Sequence, residues 1–153
     1  MSVETNLKKL GIEIPNAPAP VGDYVAYKIT GNLVYISGQI SFKKDGQLIK
    51  GKVGSDLTLE QAQEAAKVCA INIISQIKAA CDGNLNKVKN CIKLTGFVNS
   101  ADDFIDQPKV INGASELIAK VFEEKGKHAR AAVSVNSLPL GAAVEVEAIF
   151  EIN

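Results

Sequence analysis

The chain has one histidine and no tryptophan, which excludes a His-rich metal site and any mechanism that needs two histidines. Three cysteines, Cys69, Cys81 and Cys91, are odd in number and fit neither a disulfide framework nor a paired metal motif. They read as reduced, partly buried thiols. Net charge is missing too: 17 basic and 17 acidic side chains cancel, so no overall field draws the protein to nucleic acid or to an anionic membrane. Five phenylalanines and three tyrosines offer little surface for stacking bases, and nucleic acid is not an expected partner. No apolar run approaches the roughly 20 residues of a membrane span or forms a signal-peptide core, which predicts a cytoplasmic protein. P-loop and G-x-G-x-x-G patterns are absent. Composition leaves carboxylates, hydroxyls, lysines and arginine for chemistry, and arginine occurs once, as Arg130, against sixteen lysines. A planar, permanently charged fork kept at one position of a lysine-using chain marks a place where geometry counts as well as charge.

What is present suits an ordinary core-forming chain: 153 residues, 46% apolar and 22% charged, predict a single domain over 1–153. Pro15, Pro18 and Pro20 make residues 1–20 an extended lead-in with one turn of helix at its start. Tyr24 to Thr30 and Leu33 to Gln39, joined by Gly31-Asn32, predict a β-hairpin. The glycine- and lysine-rich stretch from Ser41 to Gly54 suits a loop or a short edge hairpin, its lysines guarding the edge. Thr58-Leu-Glu-Gln61 is a capping box, and behind it Ala62, Ala65, Ala66, Cys69, Ile73, Ile77 and Ala80 recur at helical spacing up to a stop at Gly83. That alanine-rich stripe allows close approach to a sheet. Cys91 to Val98 alternates as a strand. Asp102 or Asp103 is placed to cap a second helix, with Val110, Ala114, Leu117, Ile118 and Val121 as its stripe and Gly126 as its end. Arg130 to Ser137 and Ala143 to Glu151, around Leu138-Pro-Leu-Gly141, predict a closing hairpin.

The expected fold is therefore two-layer α+β, with two helices on one face of a mixed, mostly antiparallel sheet. Val34, Ile36, Val133, Val135, Val144, Val146 and Ile149 exceed what two helices can cover, so the other face is expected to be buried in a homo-oligomer.

Three stretches carry a family resemblance: Tyr35-Ile-Ser-Gly-Gln-Ile40, Ala129-Arg-Ala-Ala-Val133, and Leu138-Pro139 running on to Val144-Glu-Val-Glu-Ala-Ile149. In them, and in the order of its elements, the chain resembles the YjgF/RidA family, and its lead-in is similar to a longer-chain branch. The resemblance implies a chorismate-mutase-like fold and a homotrimer whose sheets line a central barrel, with clefts between subunits. It implies hydrolysis of 2-aminoacrylate and 2-imino acids to 2-keto acids and ammonia, with no metal or organic cofactor. Arg130 matches the family's arginine for the substrate carboxylate, which a guanidinium accepts bidentately. Glu145 matches the carboxylate that holds or activates water. Tyr24 matches the tyrosine at the cleft edge, and Gly38 and Ala132 match positions whose main chain lines the site. Ala132 stands where deaminase-like members commonly carry cysteine.

On the residues alone, Glu145 and Glu147 alternate as the wet side of a strand, Tyr24 and Tyr27 suit sheet packing, and His128 is expected to be exposed. Hairpin register decides whether Glu145 and Arg130 share a face. A non-enzymatic protein that captures small carboxylates or keto acids is the rival reading, and an endoribonuclease or translation inhibitor, as older descriptions of the family have it, ranks third.

Overall fold

The computed structural model describes residues 2–153. Strand β1 (Tyr27–Thr30) turns through Gly31-Asn32 into β2 (Leu33–Ile40), with Thr30 opposite Leu33 as the hairpin pattern requires. The capping box closes as expected, the Thr58 hydroxyl accepting from the Gln61 amide and the Gln61 side chain accepting from the Thr58 amide, and it starts α2 (Leu59–Ala80). Strand β3 (Val88–Asn99), α3 (Gln107–Phe122), β4 (Ala129–Val135) and β5 (Val144–Ile152) complete a sheet of order β1-β2-β5-β3-β4. Only β3 and β4 run parallel. Between β2 and α2 the chain is irregular, with isolated bridges from Phe42 to Leu48, Lys50 to Ala142, and Val53 to Leu57 and Ser100.

Helices α2 and α3 cover one face of this sheet, and their contact is close because small residues allow it. A Cβ at Gly113 would stand 2.1 Å from the Gln63 carbonyl oxygen, so only glycine fits where α3 crosses α2. Ala62, Ala65, Ala66 and Cys69 are fully buried in the same layer.

Several expectations give way. Strands β4 and β5 form no hairpin: β4 pairs with β3, and β5 lies between β2 and β3. The helix α3 between β3 and β4 makes a strand-helix-strand crossover, and a crossover returns the chain parallel. Helix α3 starts after Asp106, whose side chain makes no capping bond, because Pro108 suits a first turn; Asp102 and Asp103 lie before it. It ends at Glu123, which takes a left-handed φ of 56°, and Gly126 closes a following 3-10 turn. A third helix, α1 (Val3–Lys9), is two turns long and packs Val3 and Leu7 into the core. Val34, Ile36, Val144 and Val146 prove to be covered by the helices, which shrinks the apolar excess on the open face to Val133, Val135 and Ile149 with Tyr35. The cysteines are free and wholly buried, and burial pushes the Cys91 thiol up to about 12. No helix among the described residues is long and apolar enough to cross a membrane.

Candidate functional site

Between Ile36, opposite Ala148, and Gln39, opposite Val146, β2 carries one residue more than β5. Ser37 and Gly38 fill this β-bulge, and the neighbouring side chains pin it. The Ser37 hydroxyl donates to the Val25 carbonyl at 2.8 Å, and the buried Gln39 amide donates to the Ser37 carbonyl at 2.9 Å. At Gly38 the space is already taken: an added Cβ would stand 2.9 Å from the Glu145 carboxyl carbon. The Ser-Gly-Gln run thus bends the strand and lets a carboxylate lie over its backbone.

Glu145, Gly38 and Tyr24 line one cavity of about 530 Å³. Its outer wall is the lead-in, which runs extended because its prolines withhold amide donors. Two buried side chains of α2 grip that segment by its carbonyls, Ser75 donating to Pro15 at 2.7 Å and Gln76 to Pro18 at 2.8 Å. Without the lead-in both side chains lose these partners. Tyr24 sits half-exposed at the rim and accepts a hydrogen bond from the Val21 amide at 3.3 Å. Leu140, 66% exposed on the opposite rim, is held at a left-handed φ of 60°. Such strain costs about 1–3 kcal/mol in a non-glycine residue.

Partial burial raises the pKa of Glu145 above the ordinary carboxylate value, and the negative charge of Glu147, two residues on, raises it further. Cys69 beneath is inert: burial first, then the Glu145 charge, drives its thiol well up, and its Sγ donates to the Val144 carbonyl at 3.4 Å.

Arg130 lies elsewhere. It pairs with Leu94, a fully buried residue of the helix-covered face, whereas Glu145 pairs with Phe97 and alternates with buried Val144 and Val146. The two residues therefore face opposite sides of the sheet. Ala132, two residues along, packs against the core on the side of Arg130. One guanidinium nitrogen, Nη1, donates to Asn112 Oδ1 at 2.8 Å and to Ser115 Oγ at 3.2 Å, both on α3. No carboxylate among the described residues pairs with it, so Nη2 and Nε remain for a ligand.

His128, expected to be exposed, is part of this support. Its Nδ1 lies 2.7 Å from the Gly126 carbonyl, which can only accept, so Nδ1 carries the proton. Nε2 lies 2.9 Å from the Ser115 hydroxyl oxygen, which accepts from Arg130 Nη1, so the ring holds that hydroxyl in place beneath the guanidinium.

Of the residues named from the sequence, the structure brings Tyr24, Gly38 and Glu145 to one cavity and sets Arg130 and Ala132 on the other face of the sheet. Sequence reasoning missed Asn112, Ser115, Ser75 and Gln76, polar residues within otherwise apolar helices, whose only signal is that they interrupt or flank the buried stripes. No cluster of three His, Cys, Asp or Glu among the described residues is placed to hold a metal.

The family model described as "YjgF/chorismate_mutase-like, putative endoribonuclease" matches residues 4–152. Protein TCP17 of Trypanosoma cruzi is 47% identical over 152 residues, 99% of this chain and 94% of that one. The 2-iminobutanoate/2-iminopropanoate deaminase of Mus musculus is 34% identical over 140 residues, 90% of this chain and 87% of that one. A Shewanella oneidensis MR-1 crystal structure, described as "a putative endoribonuclease", matches with a TM-score of 0.95 at 32% identity, covering 99% of this chain and 100% of that one.

Proposed function

This chain belongs to the YjgF/chorismate mutase-like family, and from that premise we propose that it hydrolyses 2-imino acids to 2-keto acids and ammonia. The observation that carries this reading is Glu145: a half-buried carboxylate of raised pKa, lying over a glycine in a cavity large enough for a small molecule.

The imine carbon is already electrophilic, so the site has to hold the substrate carboxylate, place a water and manage protons. Glu145 takes a proton from water as the oxygen bonds to C2, the carbon–nitrogen π electrons move to nitrogen, and Glu145 returns that proton to the nitrogen. Collapse of the resulting carbinolamine forms the keto group and breaks the carbon–nitrogen bond, the hydroxyl proton passing through Glu145 to the departing nitrogen, which leaves as ammonia. Arg130 binds the substrate carboxylate with the two donors that α3 leaves unused.

Glu145 and Arg130 face opposite sides of one sheet, so in this reading the working site joins the Glu145 half of one copy to the Arg130 half of its neighbour. A homotrimer of the single domain, closed through the open sheet face that carries Tyr35, Val133 and Ile149, supplies that pairing in the cytoplasm. Ala132 presents its backbone to the ligand while its methyl packs inward, which makes the loss of the family's cysteine tolerable.

The test couples a threonine dehydratase to the purified protein and follows keto-acid release. Acceleration that disappears in Arg130→Ala supports the reading. Tight binding of 2-ketobutyrate without turnover of any imine overturns it in favour of metabolite capture, and RNA cleavage lost on mutation of the cleft overturns it in favour of the endoribonuclease.

A further inference from the structure

We propose that the lead-in makes the Glu145 cavity a pocket for a bulky apolar side chain, so that this protein selects 2-imino and 2-keto acids of the leucine or phenylalanine type over four-carbon ones. The inference rests on the reading of Glu145 and Arg130 given above and adds the substrate's side chain to it.

Size is the first argument. A cavity of about 530 Å³ falls within the range of about 300–1,000 Å³ of sites that enclose drug-sized ligands, far more than the few heavy atoms of iminobutanoate need. Lining is the second. Beyond Glu145 the walls are chiefly Pro18, Pro20, Val21, Ile40, Phe42 and Leu140. Of the polar side chains that line it, Asn72 donates to the carbonyls of Ile40 and Phe42, Gln39 to that of Ser37, and Lys44 pairs with Glu13 of the lead-in at 2.7 Å, while Asn16 and Lys43 are solvent-exposed. An alkyl or aryl group would cover the apolar wall between them.

The third argument is that the wall is held in place. Ser75 and Gln76 grip the extended segment from below, and the Glu13–Lys44 pair ties it to the irregular stretch after β2. Leu140 keeps an apolar side chain at the mouth in a left-handed conformation that a glycine would adopt without strain. A wall so fixed discriminates by fit.

The test generates imines in place with a broad L-amino-acid oxidase acting on leucine, phenylalanine or 2-aminobutyrate, and compares kcat/KM in wild type and in Ala19→Trp, which fills the cavity from an exposed lead-in position. The expected wild-type preference for the large imines is about tenfold or more, with the variant losing it while keeping turnover of the small one. Preference for the small imine, or a preference unmoved by Ala19→Trp, overturns the inference and leaves the deaminase reading standing. If no imine of any size is turned over, that reading fails, and equilibrium binding decides the pocket. Binding of 4-methyl-2-oxopentanoate that is tighter than that of 2-oxobutanoate, and is abolished by the variant, supports the pocket; equal binding overturns it. Val21→Asp, also exposed in the lead-in, puts a charge on the same wall and must weaken the large ligand alone, should Ala19→Trp fail to fold.

Discussion

The two halves of the site are built by opposite means. Around Glu145 the chain makes space: a bulge, a glycine and an extended proline-rich segment enclose a cavity, and the carboxylate within it forms no salt bridge among the described residues. Around Arg130 it makes none: an edge strand and α3 clamp the guanidinium through Asn112, Ser115 and His128, and that rigid cation lines none of the cavity in which Glu145 lies. A carboxylate that holds its proton to higher pH than usual and a cation kept fixed are complementary, but one chain sets them on different faces. The proposed function therefore requires assembly, with each half supplied by a different copy.

The largest effect is expected on the reacting side. Glu145→Gln retains shape and hydrogen bonding but cannot take a proton, and stopped-assay kcat is expected to fall by about 10²–10⁴-fold. Next comes the clamped side: Arg130→Lys keeps the charge and loses the fork, and kcat/KM is expected to drop about 10²-fold, whereas an unchanged value would remove the bidentate argument. Gly38→Ala tests whether the halves are separately built. Its methyl pushes the Glu145 carboxylate aside, so kcat should fall about tenfold. The thermal midpoint and the crystallographic position of Arg130 should stay as they are.

Smaller still is the effect of Ser115→Ala, which loosens Arg130 and should raise KM a few-fold with kcat nearly intact, about 1 kcal/mol of binding. A fall in kcat alone would assign Ser115 to the chemistry instead.

The least effect is a shift in pH. Burial and Glu147 hold the proton on Glu145 to higher pH than in the unfolded chain. Stability owed to that group is therefore present at low pH and lost as pH rises through the folded value, while activity, which needs the carboxylate, rises over the same interval. Glu147→Gln removes the like charge, and the acid limb of the activity profile should move to lower pH; movement the other way would contradict the cause assigned here.

Much of this was legible in the sequence, and the limits are physical. The capping box, the alanine stripe and the Gly31-Asn32 turn are local signals, and each formed as read. Strand neighbours are a long-range property, so β4 and β5 looked like a hairpin by adjacency although the helix before β4 dictates a parallel partner. Singularity exposed Arg130, but its support by Asn112 and Ser115 depends on the crossing of α3 over β4, which no spacing reveals. Tyr24, Gly38 and Glu145 were named through a motif, and the bulge that unites them is visible only in the register of β2 on β5. Of the lead-in the prolines showed extension, and nothing in them showed that α2 would draw it over the cavity.

The central claim, that Glu145 of one copy works with Arg130 of another, is tested most directly by mixing two inactive proteins. Arg130→Ala and Glu145→Gln copies are unfolded together, refolded as mixed oligomers and assayed against each variant refolded alone. Random assembly of a cyclic oligomer with shared sites restores about a quarter of the sites to wild type, and activity should return to that level. No recovery in mixed oligomers of confirmed composition would place both residues in one copy's site and contradict the account.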